Sequence, residues 1–153
     1  MFKPKLTVEA NFNMKDIEDY INEKFNNWVD DIADTMFAAG KVIVDRARTQ
    51  TKEEGGFGNI TYNLRSSIGC VVVSNHQIQD KHIYFPKIGK GDEGHKQGIA
   101  YAREIALLLD DGDTMLIFVA GMEYASILED NGIDVVSGSW EKFDAAFRKL
   151  LNK

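Results

Sequence analysis

Asp110, Asp111 and Asp113 offer the hard oxygen ligands that calcium or magnesium takes. Their spacing departs from the Asp-x-Asp-x-Asp-Gly pattern of a calcium loop, and no glutamate follows at its fixed position, so the cluster reads as a helix-ending turn. His76, His82 and His95 are the only histidines, with no cysteine partner at a zinc-like spacing, and read as surface residues. An aspartate trio with one histidine around a metal would make a small hydrolase, the rival function class. Gly89-Lys90-Gly91-Asp92-Glu93-Gly94 lacks the Gly-Lys-Ser/Thr ending of a P-loop and places two acids where phosphates would sit. No Gly-x-Ser-x-Gly elbow is present, and Ser137-Gly138-Ser139 reads as helix-entry chemistry. Cys70 is the one cysteine and lies in the apolar run Ile68–Val73, where a thiol behaves as a small hydrophobe. The expectation is a chain without catalytic residues, metal or cofactor.

The chain has 153 residues, 44% hydrophobic and 27% charged, which suits one folded domain over residues 1–153. Its net charge of −6 argues against tight duplex-DNA binding, which draws on clustered lysine and arginine. Lys41, Arg46, Arg48 and Lys52 do cluster, but a helix C-terminal half prefers cations for its dipole. No apolar run approaches the ~18–20 residues of a membrane span, and Met1-Phe2-Lys3-Pro4-Lys5 has no apolar signal core behind it, so a cytosolic protein is expected.

The elements that must position these residues follow from periodicity. From Met14 to about Arg48, apolar residues recur at steps of three or four: Ile17, Ile21, Phe25, Trp28, Ile32, Met36, Ala39, Ile43 and Ala47. That is one amphipathic helix, ~50 Å long at 1.5 Å per residue and longer than a domain of this size easily covers. Thr49–Asn59 reads as a mobile loop. Ser66–Ser74 and Lys81–Pro86 read as antiparallel strands joined by the polar Asn75–Asp80. Lys87–Gly98, rich in glycine and charge, reads as a loop, disordered or ordering on assembly. A helix over Ile99–Leu109, a strand over Thr114–Ala120, a short helix over Met122–Asp130 and a strand over Ile133–Val136 follow. Ser139 is placed as the N-cap of a last helix whose Trp140, Phe143, Phe147 and Leu150 share a face that docks on the sheet. The predicted fold is α+β: a small, mostly antiparallel sheet packed against a long N-terminal helix and a C-terminal helix.

Three pieces in this order carry a resemblance. They are the long N-terminal helix, Tyr62-Asn63-Leu64-Arg65-Ser66-Ser67-Ile68 leading into a strand, and Gly121-Met122-Glu123-Tyr124-Ala125 with Leu128-Glu129 before a C-terminal helix. Together they resemble the head-tail joining and tail-completion proteins of long-tailed bacteriophages. That family shows a Thr-Gly-Asn-Leu-Arg-x-Ser-Ile-like stretch, matched here at Asn63, Leu64, Arg65, Ser67 and Ile68, with Tyr62 in place of the glycine. Its Tyr-Ala followed by Glu and Gly is matched by Tyr124, Ala125, Glu129 and Gly132, with the Glu-to-Gly spacing one residue longer. Residues 80–113 look like an elaboration between the motifs.

The resemblance implies assembly rather than turnover: a homo-oligomeric ring at the head-tail junction or tail end. It implies phage head and tail proteins as partners, DNA as a weakly contacted cargo, no membrane, and a place in the virion after assembly in the host cytoplasm. Arg65, Asn63, Trp28, Phe25, Tyr124 and Glu129 are the expected subunit-interface residues, with Arg65 suited to pair with a carboxylate across a subunit contact. A host-encoded module that binds one other protein is the remaining alternative.

Overall fold

The computed structural model describes residue 11, residues 13–58 and residues 60–153. The N-terminal stretch read for a signal core lies outside them, as does Asn59 of the expected loop. Among the described residues no helix is long and apolar enough to cross a membrane.

Helix α1 runs Met14–Thr49, as the apolar stripe predicts. Asn13 caps it, its Oδ1 accepting the Lys15 N–H at 3.0 Å. After a 3-10 turn (Lys52–Glu54), the chain forms α2 (Asn63–Ser67), β1 (Ile68–Ser74), β2 (Gln77–Tyr84), α3 (Asp92–Leu109), β3 (Met115–Ala120), α4 (Tyr124–Asp130), α5 (Ser137–Trp140) and α6 (Phe143–Leu151). The expected α+β architecture is present, with a three-stranded, wholly antiparallel sheet of order β2-β1-β3.

All seven residues of the central strand β1 are buried because helices cover both sheet faces. Ile68 and Cys70 point to α1 and join a core with Val44, Ala47, Leu64 and Val135. Val71 and Val73 point the other way and pack with Ile117, Val119, Phe85, Ala102 and Ala106 beneath α3. Burial pushes the Cys70 thiol up to about 12, which keeps it protonated and unreactive. Polar clamps tie α1 to β2: the Tyr84 hydroxyl donates to Asp45 at 2.8 Å, and Asp34 takes Lys81 at 3.0 Å and the His82 Nε2 at 2.6 Å. His82 is thus buried and paired, not a surface histidine.

Several boundaries differ from expectation, each for a local reason. The hairpin turn is only Asn75 and His76, both in the left-handed region (φ 51° and 63°), so the chain reverses at once and Gln77–Asp80 joins β2. Segment 133–136 is not a strand, because its N–H groups are already taken. Ile133 donates to the Leu128 carbonyl, Asp134 to the Gly55 carbonyl, and Val135 and Val136 both donate to the Glu129 carboxylate. The last helix is broken into α5 and α6. Ser139 lies buried inside α5 rather than capping a helix, and α6 packs along α1. A stacked ladder of Phe118, Trp140, Phe143 and Phe147 links it back to the sheet, with ring centroids 5.3–6.3 Å apart.

Residues 49–58 of the segment expected as a mobile loop are structured: Glu54 and Thr51 form a capping box in an exposed 3-10 turn, and Phe57 is buried. The expected loop Lys87–Gly98 is likewise half helix, since α3 starts at Asp92, seven residues before Ile99. Asp92 and Glu93 sit in its first turn, where the helix dipole favours them. Gly94 and Gly98 let this end lie directly on α2: a Cβ at Gly94 would run into the Asn63 backbone, and one at Gly98 would come 2.6 Å from the Ser67 carbonyl oxygen. The Gly94 N–H donates to Asn63 Oδ1 at 3.2 Å. Gly94→Ala is therefore expected to destabilise the fold by ~1–3 kcal/mol through overpacking, although alanine is the better helix former. Urea unfolding checks this; an unchanged or raised midpoint would contradict it.

Candidate subunit interface

Phe25 and Trp28 lie on a part of α1 that the other described residues do not cover. From Met14 to Trp28 every residue but Ile17 is exposed, a projection of about 22 Å at 1.5 Å per residue. Tyr20, Ile21, Phe25 and Trp28 are 58–60% exposed, with the Phe25 and Trp28 rings 6.0 Å apart. Burial begins at Ala33, where the sheet starts to support the helix. The apolar stripe is continuous through both halves, but only the second half meets its own core.

The other four expected interface residues gather at the opposite end of α1, and three of them have intramolecular duties. Among the described residues Arg65 makes no carboxylate pair. Its Nη2 donates to the carbonyls of Gln50 (3.0 Å) and Phe57 (3.1 Å), and its guanidinium lies 4.8 Å from the Phe57 ring centroid. It therefore pins segment 50–57 onto α2. Asn63 holds the start of α3. Glu129 Oε1 accepts the N–H groups of Val135, Val136 and Ser137 at 2.7–3.1 Å, and Oε2 accepts the Ser137 hydroxyl at 2.9 Å. It caps α5 from a distance. Tyr124 keeps 38% of its surface exposed.

Asn63 and Tyr124 share an apolar groove of about 850 Å³, walled also by Phe57, Ile60, Tyr62, Leu64, Met122 and Leu128. Arg65 stands behind it, against Phe57. Tyr124 and Met122 form a ridge between this groove and a second, more polar hollow of about 780 Å³ beside Tyr101 and Glu104. Ile60, 93% exposed at the groove's lip, has no counterpart among the sequence expectations. Neither has Leu107-Leu108-Leu109 at the end of α3, 84, 73 and 59% exposed. An uninterrupted apolar triplet on a helix cannot be wholly buried on one face, which is the signal that marks it.

The residues weighed for metal chemistry do not converge. His76 Nδ1 meets Asp110 Oδ2 at 2.9 Å, but Asp110 Oδ1 accepts the Gly112 N–H and Asp111 Oδ1 the Asp113 N–H, as turn-forming carboxylates do. His82 and His95 lie elsewhere, the latter bonding the Phe85 carbonyl at 2.6 Å. Among the described residues no three or more histidine, cysteine or acidic side chains are grouped to hold a metal ion.

No protein-family model, curated protein or solved structure matches this chain.

Burial pushes the Glu129 carboxyl up, but the Val136 and Ser137 N–H groups, the Ser137 hydroxyl and the Val135 N–H outweigh it and hold it below the ordinary value. A depressed folded-state pKa adds stability above the unfolded value of ~4.3, and that stability is lost as pH falls through the folded value. Glu129→Gln should therefore lower stability at pH 7 and flatten the acid limb of the stability–pH profile below about pH 4.5. Equal acid limbs for both proteins in urea titrations would contradict this role.

Proposed function

We propose that this chain is a structural assembly protein whose copies form a closed homo-oligomeric ring, serving at the head-tail junction or tail end of a long-tailed phage or prophage. The observation that carries the reading is the uncovered half of α1. Three aromatic side chains and an isoleucine stand more than half exposed on the half of α1 that the other described residues do not cover. Contiguous apolar surface of this kind marks an interaction site, because water penalises its exposure. A self-complementary use of it needs no other molecule, and a repeated contact between unlike surfaces closes into a ring when its rotation divides a full turn.

The virion setting rests on the resemblance of the Asn63–Ile68 and Tyr124–Gly132 stretches to the head-tail family. The net charge of −6 suits a ring through which DNA passes without adhering. Neighbouring head and tail proteins would then meet the ring's two faces.

Sedimentation velocity and native mass spectrometry of the purified chain test the reading. The expected result is a discrete oligomer that the double variant Phe25→Ser, Trp28→Ser converts to monomer at equal concentration, with an unchanged circular dichroism spectrum. A wild-type chain that stays monomeric over the whole accessible concentration range would overturn assembly. Absence of the chain from purified particles of its phage would overturn the virion role.

A further inference from the structure

We infer that the projecting half of α1 on one copy seats in the groove between Phe57, Ile60, Leu64, Met122, Tyr124 and Leu128 of the next copy. This rests on the self-assembly reading and names its two surfaces. The two cannot meet within one chain. Trp28 and Gln50, beside the groove, are 22 residues apart on one helix, about 33 Å at 1.5 Å per residue. The helix acts as a spacer that holds donor and acceptor apart, so their contact joins different copies and is heterologous.

Charge separates this pairing from its nearest rival. Residues 14–31 carry Asp16, Glu18, Asp19, Glu23, Asp30 and Asp31 against Lys15 and Lys24, a net charge of −4. Residues 41–54, at the groove end, carry Lys41, Arg46, Arg48 and Lys52 against Asp45, Glu53 and Glu54, a net charge of +1. Lys52 lines the groove itself. Arg65 stands behind its Phe57 wall, the guanidinium 4.8 Å from the ring centroid. Projection against projection would set −4 against −4, whereas projection against groove sets −4 against a weakly basic end whose lining carries Lys52.

Area points to one standard contact. With ~150–250 Å² per aromatic side chain, the exposed portions of Tyr20, Ile21, Phe25 and Trp28 amount to roughly 400–500 Å². A standard interface takes ~800 Å² per partner, of which ~56–58% is apolar, or about 450 Å². The projection thus supplies the apolar part of one such interface, and the groove is concave where the projection is convex.

The test uses two surface variants of the full chain, checked for folding by thermal melts. Phe25→Ser with Trp28→Ser disables the donor; Ile60→Glu with Tyr124→Glu disables the acceptor by adding acids to a surface that faces acids. Each alone should weaken self-association at least tenfold, while an equimolar mixture should form a heterodimer and nothing larger, since one intact donor and one intact acceptor remain. Trp28→Cys mixed with Tyr124→Cys should give a covalent heterodimer on oxidation, with Cys70 buried out of reach. Wild-type oligomers that persist in the Ile60→Glu, Tyr124→Glu variant would overturn the groove while leaving assembly intact. Covalent dimers of Trp28→Cys alone, exceeding those of the mixture, would overturn it in favour of symmetric pairing. A monomeric wild type would remove the assembly reading together with this inference.

Discussion

Gly40 sets the position of α1 on the sheet. A Cβ there would lie 2.8 Å from Leu116 Cδ1 and 2.9 Å from Cys70 Sγ, closer than carbon and sulfur can stand, so only glycine lets the helix backbone settle onto β1 and β3. Ala33, Ala39, Ile43, Val44 and Ala47 are fully buried around the same face. The small residues bring the helix close and the branched ones fill the space beside it. Because this seat lies in the second half of a 36-residue helix, the first half is carried out past the edge of the domain. The projection is thus a consequence of where α1 docks, and the helix is long enough for both halves to share one apolar stripe.

Around that seat half-buried polar side chains hold the loops. Arg65 binds two carbonyls of segment 50–57, Glu129 collects three N–H groups ahead of α5, and Asn63 receives the first turn of α3. Each replaces a stretch of regular secondary structure by one side chain that satisfies otherwise orphaned backbone groups. His82 instead joins its Nε2 to the Asp34 carboxylate on α1, and among the described residues its Nδ1 is buried without a partner. What remains on the surface for association is therefore mainly apolar: the α1 projection, the groove walls and the α3 leucines. Charge enters as a long-range bias along α1, acidic at the projecting end and basic at the anchored one.

This division changes what the motif residues mean. Asn63, Arg65 and Glu129 are polar side chains suited to a subunit contact, and each also holds backbone within the chain: Asn63 from the groove wall, Arg65 from behind it against Phe57, and Glu129 ahead of α5. Tyr124 is the member of that set which faces outward, on the ridge between two hollows. A polar residue near an interface can matter by shaping the backbone that an apolar partner meets, and here the shaping contacts are all short and directional.

Periodic features were legible in the amino-acid order alone. Steps of three and four residues over 35 positions determined α1, the apolar runs determined β1 and β3, and the spacing of Trp140, Phe143 and Phe147 determined the aromatic face that now forms a ladder. Composition also marked α1 as longer than its domain could hide. These are properties of neighbours in sequence, where helix and strand geometry alone decide which side chains share a face. Tertiary structure decided the rest. Glycine-rich residues 91–98 became a helix end because Asn63, about thirty positions away, offers a backbone surface that only glycine can approach. Residues 133–136 lost their strand because the carbonyls of Leu128 and Gly55 and the carboxylate of Glu129 took their donors. Arg65 turned inward because Gln50 and Phe57 present carbonyls to it. Such outcomes depend on which distant groups arrive within a few ångströms, and no local period records that.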